Sequence, residues 1–220
     1  ARRCPPHAGG PLVKPLTRIS GAACPLGLAN VDTDQLIPAR FMKRPRSEGY
    51  GSFLLHDLRR DESGAERPDF PLNREPWRSA PILVARRNFG SGSSREAAVY
   101  ALADHGFDAV IAPTFGDIFA SNAVKNGVLP AVLGEEDVED LLAALAATPD
   151  LPVTVDLTAQ TVSWGNRAAS FAIDPVWREQ LLNGWDDIDV TRSFAGDIRR
   201  YRTALDHDRP WANPSSGGSP

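Results

Sequence analysis

Pro81-Ile-Leu-Val-Ala85, then Arg87-Asn-Phe-Gly-Ser-Gly-Ser-Ser-Arg-Glu96, then Ala97-Ala-Val-Tyr-Ala-Leu-Ala-Asp-His-Gly106 form the stretch that decides the fold. The first five residues are apolar, short and bounded by a Pro and by charge. That length and those flanks predict a buried strand. The last ten predict a helix, with Gly106 where a left-handed C-cap closes one. The turn between them is rich in glycine, which lets a backbone bend sharply and come close to a ligand. The N–H groups of a first helical turn point into such a turn and favour anions. Ser93, Ser94 and Arg95 stand at that mouth, and a guanidinium can grip a carboxylate with two hydrogen bonds. A plainer alternative is that Ser93 only caps the helix.

The same alternation extends outward. Ala109–Pro113 reads as a strand, Asp117–Asn126 as a helix closed by Gly127, and Val128–Leu133 as a strand. Glu135–Ala147 reads as a helix with acids in its first turn, where the macrodipole favours them. Strand–helix–strand order implies parallel pairing. Leu151–Leu157 and Thr161–Gly165 alternate like a hairpin, Ala169–Ile173 makes a further strand, and Pro175 opens another helix. A last helix spans about Asp187–Leu205. On the N-terminal side, Leu12–Ala23 reads as one strand. Lys43–Ser79 is crowded with charge, Gly and Pro and reads as a long loop with one short helix near Ser52–Leu58; loops of that length are usually functional or mobile. The expected fold is an α/β domain with a mixed sheet and flanking helices over residues 12–205, between a disordered leader (1–11) and a disordered tail (206–220).

Composition excludes several classes. The chain has 220 residues, 42% hydrophobic and 24% charged, with a net charge of -4. An acidic balance argues against a nucleic-acid partner. No apolar run is long enough to span a bilayer, and no apolar core follows the basic start, so neither a membrane anchor nor a signal peptide is expected. The two cysteines, Cys4 and Cys24, make no CxxC pair and no disulfide framework. A reduced, cytoplasmic setting follows.

The site is not a dinucleotide fingerprint, because Gly90-x-Gly92-x-x is followed by Arg95, and no P-loop lysine follows. A second segment, Asn30-Val-Asp-Thr-Asp-Gln-Leu-Ile-Pro-Ala-Arg40, holds two acids one residue apart. They could hold a cation, or form an Asx-type turn before an extended X-Pro stretch.

These segments resemble a known family. Asn30–Arg40 is similar to the opening motif of isopropylmalate dehydratase small subunits, and Arg87–Glu96 to the serine loop that this family shares with the swivelling domain of aconitase. Ala112–Pro130 and Leu181–Asp189 resemble its later signatures. The four stand in the family's order over about Leu12–Leu205. The resemblance implies a swivelling β/β/α domain that docks on a large subunit carrying a [4Fe-4S] cluster. It implies a hydro-lyase that converts 2-isopropylmalate to 3-isopropylmalate by dehydration and rehydration, in leucine biosynthesis. Two cysteines cannot hold a cubane cluster, so this chain is expected to bind no metal itself.

By that resemblance Ser93 is the catalytic base, Ser94 helps hold the substrate, and Arg95 binds a substrate carboxylate. Asp34 pairs with a histidine of the large subunit. One of Arg40, Arg44 and Arg46 grips the other carboxylate of a di- or tricarboxylic hydroxy acid. Ser91 stands where the family often has Cys, and Ala97-Ala98 where it has a His-Ala pair. A relative acting on citramalate, methylmalate or homocitrate is therefore an alternative. Two readings of other kinds are a non-catalytic partner of an iron–sulfur protein and a self-sufficient phosphate-binding enzyme.

Overall fold

The computed structural model describes residues 14–92, 95–209 and 211. The parallel sheet is its middle layer. Strands β2 (Ala23–Pro25), β3 (Ile82–Val84), β4 (Ala109–Ala112) and β5 (Leu129–Val132) pair in that order, all parallel. Their side chains alternate between two cores. Ile82, Val84, Ala109 and Ile111 enter one cluster, while Leu83 and Val110 enter the other. Burial on both faces is why these strands are continuous apolar runs rather than alternating ones.

One core is closed by helices α3 (Glu96–His105) and α1 (Thr33–Leu36), through Ala98, Val99, Leu102 and Leu36. The other is closed by α5 (Glu135–Ala147) and an antiparallel sheet, β1–β6–β7–β8, of Arg18–Gly21, Val153–Asp156, Thr161–Trp164 and Arg167–Ser170. The parallel and antiparallel parts expected from the sequence are thus both present, but as separate sheets. Between them, an isolated antiparallel bridge joins Val132 at the end of β5 to Ala172 beyond β8.

Three local readings change. The strand expected within Leu12–Ala23 is only β1, and β2 follows after Ala22 alone in a different sheet; Leu12 and Val13 lie outside the described residues. The switch passes close to Pro81, whose Cγ would lie 2.9 Å from a Cβ at Gly21. The segment 43–79 is not a solvent loop. It folds as short 3-10 turns around α2 (His56–Arg59), and buries Leu54, Leu55, Leu72 and Trp77 against α3 and its neighbours. Its apolar residues are few but each finds the core, which a charge-dominated composition hides. The last helix is two, α7 (Asp187–Ser193) and α8 (Ala195–Asp208), with a non-helical residue, Phe194, between them.

The helix ends follow the sequence signals. Gly106 takes φ 108° as C-cap of α3. Asp174 caps α6 (Pro175–Asn183), accepting from the Val176 N–H at 2.8 Å. Asp186 and Asp189 form a reciprocal capping box at α7. No helix among the described residues is long and apolar enough to cross a membrane.

Leu83 is fully buried at the centre of the parallel sheet. Leu83→Ala is expected to lower stability by about 2–5 kcal/mol, read as a fall in the urea midpoint at unchanged slope. A loss below about 1 kcal/mol would mean that the site collapses around the change.

Candidate active site

Three loops meet at the carboxyl ends of β2, β3 and β4, the place where open parallel sheets bind ligands. The sequence shows each loop alone; the structure shows how they are laced. The Asn30 N–H donates to the Arg87 carbonyl at 2.9 Å, and Asn88 Nδ2 donates to Asn30 Oδ1 at 3.0 Å. Both asparagines have positive φ, 56° and 61°, a region that Asn tolerates better than most residues. Gly90 N–H donates to the Val31 carbonyl at 2.7 Å, and Thr33 N–H to the Ser91 carbonyl at 3.0 Å. On the other side, Asn88 N–H reaches Thr114 Oγ1 at 2.8 Å, Phe89 N–H reaches the Thr114 carbonyl at 3.0 Å, and Gly116 N–H reaches the Phe89 carbonyl at 2.9 Å.

Phe89 anchors the underside of the turn. It is buried, and packs edge-on to Phe119 of α4 (Asp117–Lys125) with centroids 5.4 Å apart. Asn30, Asn88 and Thr114 had no assigned role in the sequence reading. An Asn beside a glycine-rich turn is the signal that could have marked the first two.

The turn ends at Arg95, which occupies the N-cap position of α3 and makes no side-chain cap bond. The helix therefore starts at Glu96. Ser93 and Ser94, the expected base and its neighbour, lie outside the described residues.

The two acids of the Asn30 loop have separate duties. Asp32 caps α1: its Oδ1 accepts from the Gln35 N–H at 2.7 Å, and Gln35 Oε1 accepts from the Asp32 N–H at 3.0 Å. The Asx reading therefore describes Asp32. Asp34 instead points to Arg95 and forms an ion pair with its Nη1. Its side chain is 54% exposed and that of Arg95 is 32% exposed, so both face a surface that a ligand or a second chain can reach.

The three loop arginines are each held by a carboxylate. Arg40 makes a two-pronged contact with Asp57, whose carboxyl it holds at a pKa of about 2. It also lies over the Phe41 ring, 4.6 Å from the centroid. Arg44 reaches Glu48 at 3.5 Å. Arg46 grips Asp104 at 2.7 Å and stacks 4.0 Å over the Tyr100 ring. Asp104 sits nine residues beyond Arg95, so at 1.5 Å rise per residue Arg46 is engaged roughly 14 Å down α3 from the turn. The structure thus unites Asp34 with Arg95 and leaves Arg46 at the far end of the helix.

Among the described residues, no group of three or more His, Cys, Asp or Glu could hold a metal ion. Cys24 is buried, and burial pushes its thiol far above its usual range. A thiolate is the form that binds iron, so Cys24 does not fit as a cluster ligand.

The parallel sheet, the laced turn and the antiparallel layer define a domain of the aconitase C-terminal type. The family model described as Aconitase C-terminal domain matches residues 13–136, and a second, LeuD_N, matches 139–175. Two relatives, both 3-isopropylmalate dehydratase small subunits, match nearly end to end. That of Rhodospirillum centenum is 47% identical over 197 residues, covering 89% of this chain and 97% of its own. That of Oceanobacillus iheyensis is 46% identical over 193 residues, covering 87% and 100%. A crystal structure of 3-isopropylmalate dehydratase from Methanocaldococcus jannaschii superposes with a TM-score of 0.57 at 26% identity, covering 83% of this chain and 99% of that one. The chain belongs to the family of 3-isopropylmalate dehydratase small subunits.

Proposed function

We propose that this chain is the small half of a two-subunit cytoplasmic hydro-lyase that isomerises 2-isopropylmalate to 3-isopropylmalate, as leucine synthesis requires. The observation that carries the reading is the Asp34–Arg95 pair at the mouth of the turn, in a chain 47% identical to such a small subunit over 97% of that relative's length. The pair lies on an open surface, so a second polypeptide is needed to close a pocket over it.

The proton to be removed lies α to a carboxylate, so the carbon is a poor acid. Charge develops on the substrate as that proton leaves, and preorganised positive groups stabilise it best. Arg95 is the group that meets a substrate carboxylate, exchanging Asp34 for the ligand. Ser93 receives the proton. A serine hydroxyl is a weak base unless its alkoxide is stabilised, and the N-terminus of α3 and the Arg95 guanidinium supply that stabilisation. Asp34, once released by Arg95, is free to orient a histidine of the large subunit. Arg40 or Arg44 exchanges its own carboxylate partner, Asp57 or Glu48, for the second carboxylate of the substrate. The iron–sulfur cluster belongs to the large subunit in this reading, where it supplies Lewis acidity toward the leaving hydroxyl.

The test is reconstitution. The chain mixed with its large subunit is expected to turn over 2-isopropylmalate, and the isolated chain to turn over nothing. A pair that prefers citramalate, methylmalate or homocitrate would move the substrate to another hydroxy acid, in line with Ser91, Ala97 and Ala98. Assembly without any turnover would favour a non-catalytic partner.

Arg95→Lys separates binding from chemistry. Lysine keeps the charge but loses the two-pronged fork. KM is expected to rise about 10-fold or more, the size of one lost charge-assisted hydrogen bond. An unchanged KM would take Arg95 out of substrate binding.

A further inference from the structure

Helix α8 (Ala195–Asp208) has no buried residue. Its apolar side chains nevertheless recur at helical spacing. Phe194 at its N-cap, Ile198, Tyr201 and Leu205 fall on one stripe, and the first three are 55%, 49% and 71% exposed. Helices of 12–15 residues are marginal in water even with favourable sequences, and draw most of their stability from packing an apolar face. Among the described residues this face is left largely open, with only Leu205 half-buried. Arg200 is taken by Asp197 within the helix. Arg199 and Arg202, one turn apart on the same flank of the stripe, form no ion pair among the described residues.

We propose that α8 is a docking arm that seats its Phe194–Ile198–Tyr201–Leu205 stripe in an apolar groove of the large subunit, with carboxylates on the groove's rim facing Arg199 and Arg202. The proposal rests on the two-subunit reading above. The size of the stripe selects this occupant over a second copy of the chain. A 14-residue helix is about 21 Å long and about 10 Å wide, so its face presents on the order of 200 Å². A stable dimer needs about 800 Å² from each partner. The arm is too small to hold a complex alone, and suits a chain that already meets its partner elsewhere. Its foot is fixed to the body by Asp187 of α7, which pairs with Lys125 of α4 at 2.9 Å and accepts from Gln180 of α6 at 3.0 Å.

The experiment uses the full chain and the large subunit of a 3-isopropylmalate dehydratase, purified separately. Affinity is measured for wild type, Ile198→Glu and Arg202→Glu. Both variants are expected to bind at least about 10-fold more weakly, as buried interface anchors do. The isolated chains should keep the wild-type melting temperature, because both side chains are exposed there. Amides of α8 should exchange quickly in the free chain and slowly in the complex. Wild-type affinity in both variants would overturn the proposal. So would a wild-type homodimer that Ile198→Glu splits, or binding of the free chain to vesicles of anionic lipid that either variant abolishes. Failure of the wild-type pair to assemble would remove the two-subunit reading as well, whereas intact assembly of the variants removes only the arm.

Discussion

In the reconstituted enzyme, Ser93→Ala is expected to leave assembly intact and to cut kcat by roughly 10²–10⁴-fold, the usual contribution of a positioned base. The change removes one oxygen and adds no bulk, so the folded chain and its affinity for the large subunit should not move. KM should stay near the wild-type value, because the proposed mechanism assigns the carboxylate grip to Arg95. That split matters: a serine that only shaped the turn would alter KM and stability when replaced, whereas a base alters kcat alone. The physical ground is the setting of residue 93. In the sequence it stands two residues before Arg95, the N-cap residue of α3. Positive potential at a helix N-terminus favours an oxyanion. Undiminished kcat in the assembled variant would remove Ser93 as the base and return the site to a binding role.

Gly90→Ala is the second large effect, and it acts on the fold. Gly90 has φ 72°, and a Cβ placed there would lie 2.1 Å from the Phe119 ring. Two costs add. The left-handed conformation costs an L-residue roughly 1–2 kcal/mol, and forcing a methyl into a packed ring costs typically about 1–3 kcal/mol. Phe119 cannot step aside easily, because it is buried and packed against both Phe89 and Phe115. A destabilisation of about 2–5 kcal/mol is expected on those grounds. The turn would also shift, since Gly90 N–H and the Val31 carbonyl are bonded at 2.7 Å. Denaturation midpoints of the isolated chain check the first part and kcat of the assembled pair the second. A wild-type midpoint would mean that the turn can be rebuilt around a side chain.

Much of this fold is legible in the chain because its signals are local. The runs that became β3 and β4 are apolar throughout, since both of their faces are covered. Gly106 and Asp174 mark helix ends by chemistry that acts within a few residues. The serine turn announces itself through Gly90 and Gly92. The departures share one cause, which is contact over long separation. Leu12–Ala23 reads as holding a strand because it mixes β-branched and small residues. That the chain changes sheets at Ala22 depends on β6 and β3, both far along the sequence. Residues 43–79 look like solvent loop because charge outnumbers the apolar residues that bury. The Asn30–Asn88 and Asn88–Thr114 bonds join segments that share no local pattern.

The amino-acid order by itself determined the class of the domain, the sequence of strands and helices, and the segments that bear chemistry, because hydrophobic period, caps and turns are short-range properties. Only the tertiary structure decided that Asp34 meets Arg95 across 61 residues, that Arg46 is held far down α3 by Asp104, and that α8 leaves its apolar stripe largely uncovered. Those outcomes are set by which surfaces pack together once the sheets form, and packing between distant parts of a chain leaves no periodic trace in it.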